Sequence, residues 1–403
     1  MSLQKNKTQL GLKENWLQFS ILVLVNAFVG AMVGLERTIF PQFAEIEFGV
    51  ASKTAILSFI TAFGISKAIA NYFTGKLSNY LGRKNLLVLG WCLAIAVPII
   101  LMMAPTWGWV IFANVVLGVS QGFTWSSTVI MKIDLVGPKN RGLAMGLNEF
   151  AGYFSVGILA YLSSIIATNF GVTPYPFYLG LGIAIAGTLL SVLFVADTKK
   201  HVALEQKDTN PALPQNIFLQ TTLKHKNLSA ITQAGLVNNL NDGMIWGLLP
   251  IYLFNIGYST VNIGILAAIY PTIWGIGQLF TGKMADIFSK KKMLFWGMFA
   301  QAIAIMLLPQ SVAYLVLVLI CIILGLGTAL VYPTFLAAIA DEVSPNQRAE
   351  TIGVFRLWRD LGYAIGALTS GIIADVFGVA IAIICIGVVT LFSSFIIHFR
   401  MKA

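Results

Sequence analysis

The chain has 403 residues, of which 57% are apolar and only 10% charged, with a mean hydropathy of +0.82. Soluble domains carry about 25% charged residues, so this composition cannot cover a water-facing surface, and lipid must be the main solvent. The formal charge of +10 does not mark a nucleic-acid partner, because the cations are confined to particular connections.

The opening MSLQKNKTQLGLKEN is polar and basic, and the apolar run after it is too long for a signal-peptide core, so it reads as a cytoplasmic tail. A membrane helix needs about 20 mainly apolar residues. Twelve such runs can be drawn, at 16–41, 54–74, 86–104, 108–133, 142–167, 175–196, 229–255, 260–281, 293–310, 312–340, 350–374 and 378–398. Connections such as Pro105-Thr106-Trp107 and Gly257-Tyr258-Ser259 leave no room for an extracellular domain. The long polar stretch contains Lys199-Lys200-His201, Pro211 and Pro214 and reads as a cytoplasmic linker. The expected organisation is a six-helix bundle over 1–196, a linker over 197–228 and a second six-helix bundle over 229–403. Of the 26 Lys and Arg, 21 fall in the tails, linker and connections of one side, Lys132, Arg141 and Arg348 among them, and Lys53 alone on the other. This positive-inside pattern puts both termini in the cytoplasm.

Two segments recur at one offset. GKLSNYLGRK (Gly75 to Lys84) returns as GKMADIFSKK (Gly282 to Lys291), 207 residues later. DLVGPKNR (Asp134 to Arg141) returns as DEVSPNQR (Asp341 to Arg348) at the same 207. Two matches at one spacing mark a duplicated unit. Six helices per copy make the repeats parallel, about an axis along the membrane normal, with a site expected near mid-membrane between them. The lone Cys92, Cys321 and Cys385 suggest neither a disulfide framework nor a thiolate site, and His201, His225 and His398 lie in or near cytoplasmic segments. No metal or cofactor is expected.

Eight ionisable groups inside the runs stand out: Glu36, Arg37, Lys67, Glu149, Asp242, Arg356, Arg359 and Asp360. Each costs about 2.5–3.5 kcal/mol at membrane depth, so each is expected to face a cavity or a partner. In the 207 frame Glu149 falls opposite Arg356, and Asp242 one residue off Glu36. Arg356, Arg359 and Asp360 share one helix face. A guanidinium fork suits a carboxylate or phosphate, which points to a central anion clamp. The alternative is that Arg359–Asp360 and Arg356–Glu149 are internal ion pairs that hold the cytoplasmic side closed. Glu36 and Asp242 are candidate proton sites, or members of structural salt bridges. Lys67 is a candidate substrate contact or the partner of an acid. Asn148, Trp125 and Tyr332 complete the candidate wall.

The pattern resembles the major facilitator superfamily over nearly the whole chain: twelve helices, six plus six, with a long middle linker. Gly75, Asn79, Gly82, Arg83 and Lys84 follow that family's loop G-x-x-x-D-x-x-G-R-K/R, and Gly282, Asp286, Lys290 and Lys291 repeat it. Pro138 with Arg141-Gly142 is also similar to the family. The resemblance implies gating roles for Gly75, Asn79, Arg83, Lys84, Gly282, Asp286 and Lys290. Asn79 departs from the acid that helps lock the family's cytoplasmic gate, so the lock is expected to be weaker or differently built.

No Walker loop is present, which excludes an ATP-driven engine, and no nucleophile–base cluster suggests an enzyme. The expected function is proton-coupled transport of a small anionic or zwitterionic solute across the cytoplasmic membrane by a monomer. Proton carriers would be Glu36, Glu149, Asp242 and Asp360; solute contacts would be Arg37, Lys67, Trp125, Asn148, Arg356, Arg359 and Tyr332. The alternative is exchange of amphipathic or cationic drugs for protons, although residues 142–168 lack the proline of the family's exchanger signature. A sensor that moves nothing is disfavoured, since the linker and tails are too short for an output domain.

Overall fold

The apolar runs fold as helices, and no strand occurs among the described residues, which in this computed structural model are 8–37, 39–49, 53–205, 216–258 and 260–402. In chain order they are α1 (Trp16–Arg37), α2 (Phe40–Phe48), α3 (Lys53–Leu81), α4 (Arg83–Met102), α5 (Trp107–Val136), α6 (Arg141–Phe170), α7 (Tyr175–Phe194), α8 (Lys199–Glu205), α9 (Ile217–Leu219), α10 (Lys226–Asn255), α11 (Thr260–Ile287), α12 (Lys290–Leu307), α13 (Tyr314–Glu342), α14 (Pro345–Phe377) and α15 (Val379–Arg400). The first run is not one helix. Proline lacks an N–H and its ring crowds the carbonyl four residues back, and Pro41 accordingly follows a stop at Arg37 and a restart at Phe40.

Among the described residues, nine helices are long and apolar enough by themselves to cross a membrane. The long helices α3, α5 and α10 carry polar residues in their middle turns. Those residues point inward: Asn71, Gln121, Thr124, Ser126, Lys132, Asn238, Asn239 and Asp242 are all buried. Large apolar side chains such as Leu193, Phe280, Leu315 and Phe392 remain exposed, as a lipid-facing belt requires.

Two groups of helices meet along a seam. Before the linker α1 packs on α6, and α3 and α4 on α5; after it α10 packs on α14, and α11 and α12 on α13. Across the seam α3 lies along α14, and α6 along α11. The tails and linker share one end. There Gly11 N–H donates to the Leu135 carbonyl at 3.0 Å, and Lys402 N–H to Asn227 Oδ1 at 2.8 Å. We call this the linker side. Gly82 alone separates α3 from α4 there, with a φ of 87° that favours glycine.

Toward the linker side the seam closes backbone to backbone, and glycine permits it. A Cβ at Gly75 would stand 2.6 Å from the Ala349 carbonyl oxygen and 2.9 Å from Gly353 Cα. A Cβ at Gly282 would stand 2.7 Å from the Gly142 carbonyl oxygen and 2.7 Å from Gly146 Cα. Gly75 and Gly282, Ala349 and Gly142, and Gly353 and Gly146 are all related by 207 residues, so one backbone contact occurs twice.

Gly282→Ala is therefore expected to lower the melting temperature in detergent, because overpacking here costs about 1–3 kcal/mol. Gly275→Ala, on the same helix but with nothing within 4 Å of its Cβ position, is expected to leave it unchanged or raise it.

Candidate functional site

Helix α14 brings Arg356, Arg359 and Asp360 into the middle of the seam, and all three are buried. Neighbouring helical residues do not face each other, but the long Arg359 side chain folds back, and its Nε and Nη2 donate to Asp360 Oδ1 at 2.9 and 2.7 Å. Arg359 also lies 5.3 Å from the Tyr332 ring centroid on α13, a cation–π distance. The other Asp360 oxygen accepts a short hydrogen bond from Asn71 Nδ2 of α3. Asn71 Oδ1 accepts from Ser126 Oγ of α5 at 2.5 Å, and Ser126 Oγ accepts from Arg356 Nη1 at 3.2 Å. The network thus starts on α14, crosses to the first group of helices and returns.

Arg356 Nη2 reaches Glu149 Oε1 of α6 at 3.9 Å, a charge contact without a hydrogen bond. Glu149 Oε1 instead accepts from Asn148 Nδ2 at 2.7 Å and from Trp125 Nε1 at 3.3 Å. Asn148 Oδ1 accepts a short bond from Lys132 Nζ. One amide therefore bridges a buried cation and a buried anion, with its carbonyl toward the ammonium and its N–H toward the carboxylate. Glu149 Oε2, Arg356 Nε and Nη2, Trp274 Nε1 and both polar atoms of Gln278 have no hydrogen-bond partner. An unsatisfied buried polar group costs about 1–3 kcal/mol.

Rings line the second group's side. Tyr153 on α6 crosses the seam, its hydroxyl 2.8 Å from that of Tyr332 and its ring 4.2 Å from Trp274. Tyr270 stacks on Trp274 at 5.9 Å and donates a short hydrogen bond to Asp242. Glu36 and Asp242 are both buried. Lys67 Nζ sits 5.0 Å from the Trp125 ring and 5.4 Å from that of Phe63. The Arg37 side chain lies outside the described residues.

The gating candidates form a second cluster at the linker side. Asp286 accepts from Gly142 N–H at 2.7 Å and Leu143 N–H at 2.9 Å, so it caps α6 from across the seam. Arg141 Nη1 donates to Asp341 Oδ1 at 2.7 Å, and Lys290 Nζ meets Asp341 Oδ2 at 2.8 Å. In the symmetric place Arg348 Nη1 donates to Asp134 Oδ1 at 3.2 Å, and Arg83 Nε stands 3.4 Å from Asp134 Oδ2. Asn79 Nδ2 donates to the Asn346 carbonyl at 3.2 Å. Lys84 is set apart from the seam; its Nζ donates to the Val192 carbonyl of α7 at 2.9 Å.

Sequence reasoning did not single out Asn71, Ser126, Gln278 or Glu205, and it assigned Lys132, Arg141 and Arg348 to the basic connections. Lys132, Arg141 and Arg348 are in fact buried. One signal was available: Asn71 and Gln278 are related by 207 residues, a polar pair at one position of both copies.

The family model described as Major Facilitator Superfamily matches residues 21–235 and again 231–402. Among similar proteins, the proton-coupled antiporter flippase LtaA of Staphylococcus haemolyticus is 25% identical over 91% of this chain and 88% of its own. The multidrug resistance protein MdtG of Proteus mirabilis is 24% identical over 90% of this chain and 91% of its own. Among solved structures, the transporter FucP in the outward conformation superposes with a TM-score of 0.78 at 14% identity, covering 96% and 99% of the two chains.

Removing one member of a buried pair costs about 3–5 kcal/mol, whereas replacing both by apolar groups is often neutral. Arg356→Met and Glu149→Gln are each expected to lower thermal stability more than the double variant does, a non-additivity that a thermal-shift double-mutant cycle reads directly.

Proposed function

The chain belongs to the Major Facilitator Superfamily, a family of membrane transporters and not of enzymes, and on that premise we propose that it moves a small anionic or zwitterionic solute across the cytoplasmic membrane, coupled to protons, by alternating access. The observation that carries this reading is the loose pair at the centre. Arg359 spends its charge on Asp360, but Arg356 keeps two donors uncommitted beside a Glu149 oxygen that is equally uncommitted.

A solute carboxylate or phosphate competes with Glu149 for Arg356. Once displaced, Glu149 is a buried carboxylate without its cation, and a proton taken up with the solute neutralises it. The site therefore loads an anion and a proton together. Protonation of Glu149 leaves its bonds from Asn148 and Trp125 weaker and the Arg356 fork available. Lys67 and Arg359 add positive potential, Tyr332, Trp125 and Asn148 shape the wall, and Arg37 is a further solute contact proposed from the sequence alone. Glu36, Asp242 and Asp360 are further acids that can carry protons. In this reading residues 1–196 and 229–403 rock about the site while 197–228 tethers them. The basic linker side and both termini face the cytoplasm, and the working unit is a monomer.

A second reading is exchange of amphipathic or cationic compounds for protons. The relatives named as a multidrug resistance protein and as a proton-coupled antiporter flippase favour it, as does the aromatic wall of Tyr153, Tyr270, Trp274 and Tyr332.

Flux into proteoliposomes of carboxylate- and phosphate-bearing solutes, under an imposed pH gradient, tests the first reading. Arg356→Ala is expected to cut flux by on the order of 100-fold, as loss of a charged contact worth about 2–3 kcal/mol does. Glu149→Gln is expected to leave residual flux that ignores the gradient. Undiminished anion flux in Arg356→Ala, together with resistance to lipophilic cations that Glu36→Gln abolishes, favours the second reading instead.

A further inference from the structure

The linker-side lock has a part that lies outside the repeat. Glu205, the last residue of α8, belongs to the linker, yet it is only 4% exposed. Its Oε1 accepts a short hydrogen bond from Arg141 Nη2 and a 2.7 Å bond from Arg348 Nη2. Arg141 and Arg348 are related by 207 residues. One carboxylate oxygen therefore sits between the two symmetry-related arginines, one from each half.

The rest of the lock follows the same frame. Arg83 matches Lys290, Asp134 matches Asp341, and Asn79 matches Asp286. Each arginine crosses to the aspartate of the other half, Arg141 to Asp341 and Arg348 to Asp134. Four cations thus converge with only three aspartates, because the fourth acidic position holds Asn79. Asn79 cannot act as Asp286 does. Helix α6 starts at Arg141, so the amides of Gly142 and Leu143 lie in its first turn and are free to be capped. Helix α14 starts at Pro345, more than two residues earlier in the repeat frame, so the equivalent amides of Ala349 and Glu350 are already inside the helix. What faces Asn79 is the Asn346 carbonyl, which accepts its N–H and would repel a carboxylate.

We infer that Glu205 is the missing fourth anion of this lock: a positioning residue through which the linker holds the linker side of the seam closed. Two guanidiniums that share one oxygen repel each other, and the seam cannot keep both there without the anion between them. Helix α8 packs on both α5 and α14, but its hydrogen bonds at its start run to the first half. Thr198 Oγ1 donates to Asp134 Oδ2 at 2.9 Å, Asp197 accepts from Lys84 N–H at 3.1 Å and Lys199 N–H at 2.9 Å, and Val202 is buried. Glu205 therefore stays with Arg141 when the seam opens, and Arg348 is the partner that departs. The inference does not depend on the identity of the solute.

Spin labels on cysteines placed at Asn85 and Lys292, with Cys92, Cys321 and Cys385 replaced, report the separation of the halves in the full chain. These exposed positions are related by 207 residues and flank the lock on opposite sides of the seam. Glu205→Gln, which keeps the shape and removes the charge, is expected to lower the closed-to-open ratio by on the order of tenfold, seen as a growing long-distance population. Glu205→Asp is expected to restore most of the short-distance population. In an Arg348→Gln background, where Glu205 has lost its partner on the other half, adding Glu205→Gln is expected to leave the closed-to-open ratio nearly unchanged. This comparison does not use the Glu205→Gln single variant and stands if that variant folds poorly. A distance distribution for Glu205→Gln that matches the parent, or a further tenfold opening when Glu205→Gln is added to Arg348→Gln, overturns the inference.

Discussion

Every cation that this chain carries into its interior must be neutralised there, because a charge in a low-dielectric medium is far costlier than one in water. For three arginines the protein meets this constraint by placing partners on opposite sides of one seam, while Arg359–Asp360 and Arg83–Asp134 pair within one half. Arg356 looks to Glu149, Arg141 to Asp341 and Arg348 to Asp134. Neutralisation and closure are then a single event. The helices cannot separate at the linker side without either hydrating these groups or giving them new partners, and this links the chemistry of the seam to the motion of the halves.

The duplication explains why the two ends of the seam differ in character. At the linker side the two copies keep equivalent residues, so the contacts come in symmetric pairs, glycine on glycine and arginine on aspartate. In the middle the copies have diverged. Glu149 stands where the second copy has Arg356, Lys67 where it has Trp274, and Trp125 where it has Tyr332. At these three positions a carboxylate faces a guanidinium, an ammonium replaces an indole, and an indole replaces a phenol. The symmetry of the two copies is kept where the halves close on each other and lost in the middle of the seam.

Much of this was legible in the sequence, and the limits have physical causes. Hydropathy located the runs but cut the helices short at their polar ends: α3 continues to Leu81 and α14 begins at Pro345, because turns that leave lipid no longer need apolar residues. The 207-residue frame placed Glu149 opposite Arg356 before any coordinates. Lys132, Arg141 and Arg348 were read as residues that set orientation, since charge at the end of an apolar run is normally solvated. Burial overrides that reading here, and burial is a tertiary property. Glu205 carries no periodic or motif signal. Its partners are 64 and 143 residues away in sequence, and only the fold brings them together.

The composition of the lock also bears on why it is ionic. An apolar seam of the same volume is often as stable as a buried ion pair, or more so, so strength alone does not call for arginines and carboxylates. What ion pairs provide is reversibility and register. An apolar interface, once closed, has no preferred release point, whereas a cation that loses its partner here is readily hydrated at the linker-side surface. The shared oxygen of Glu205 extends this logic. It lets two like charges approach in the closed state, and through α8 it remains fixed to the half that carries Arg141. The bonds to Arg348 are then the ones that must break, so the linker gives a nearly symmetric interface a defined side from which to open.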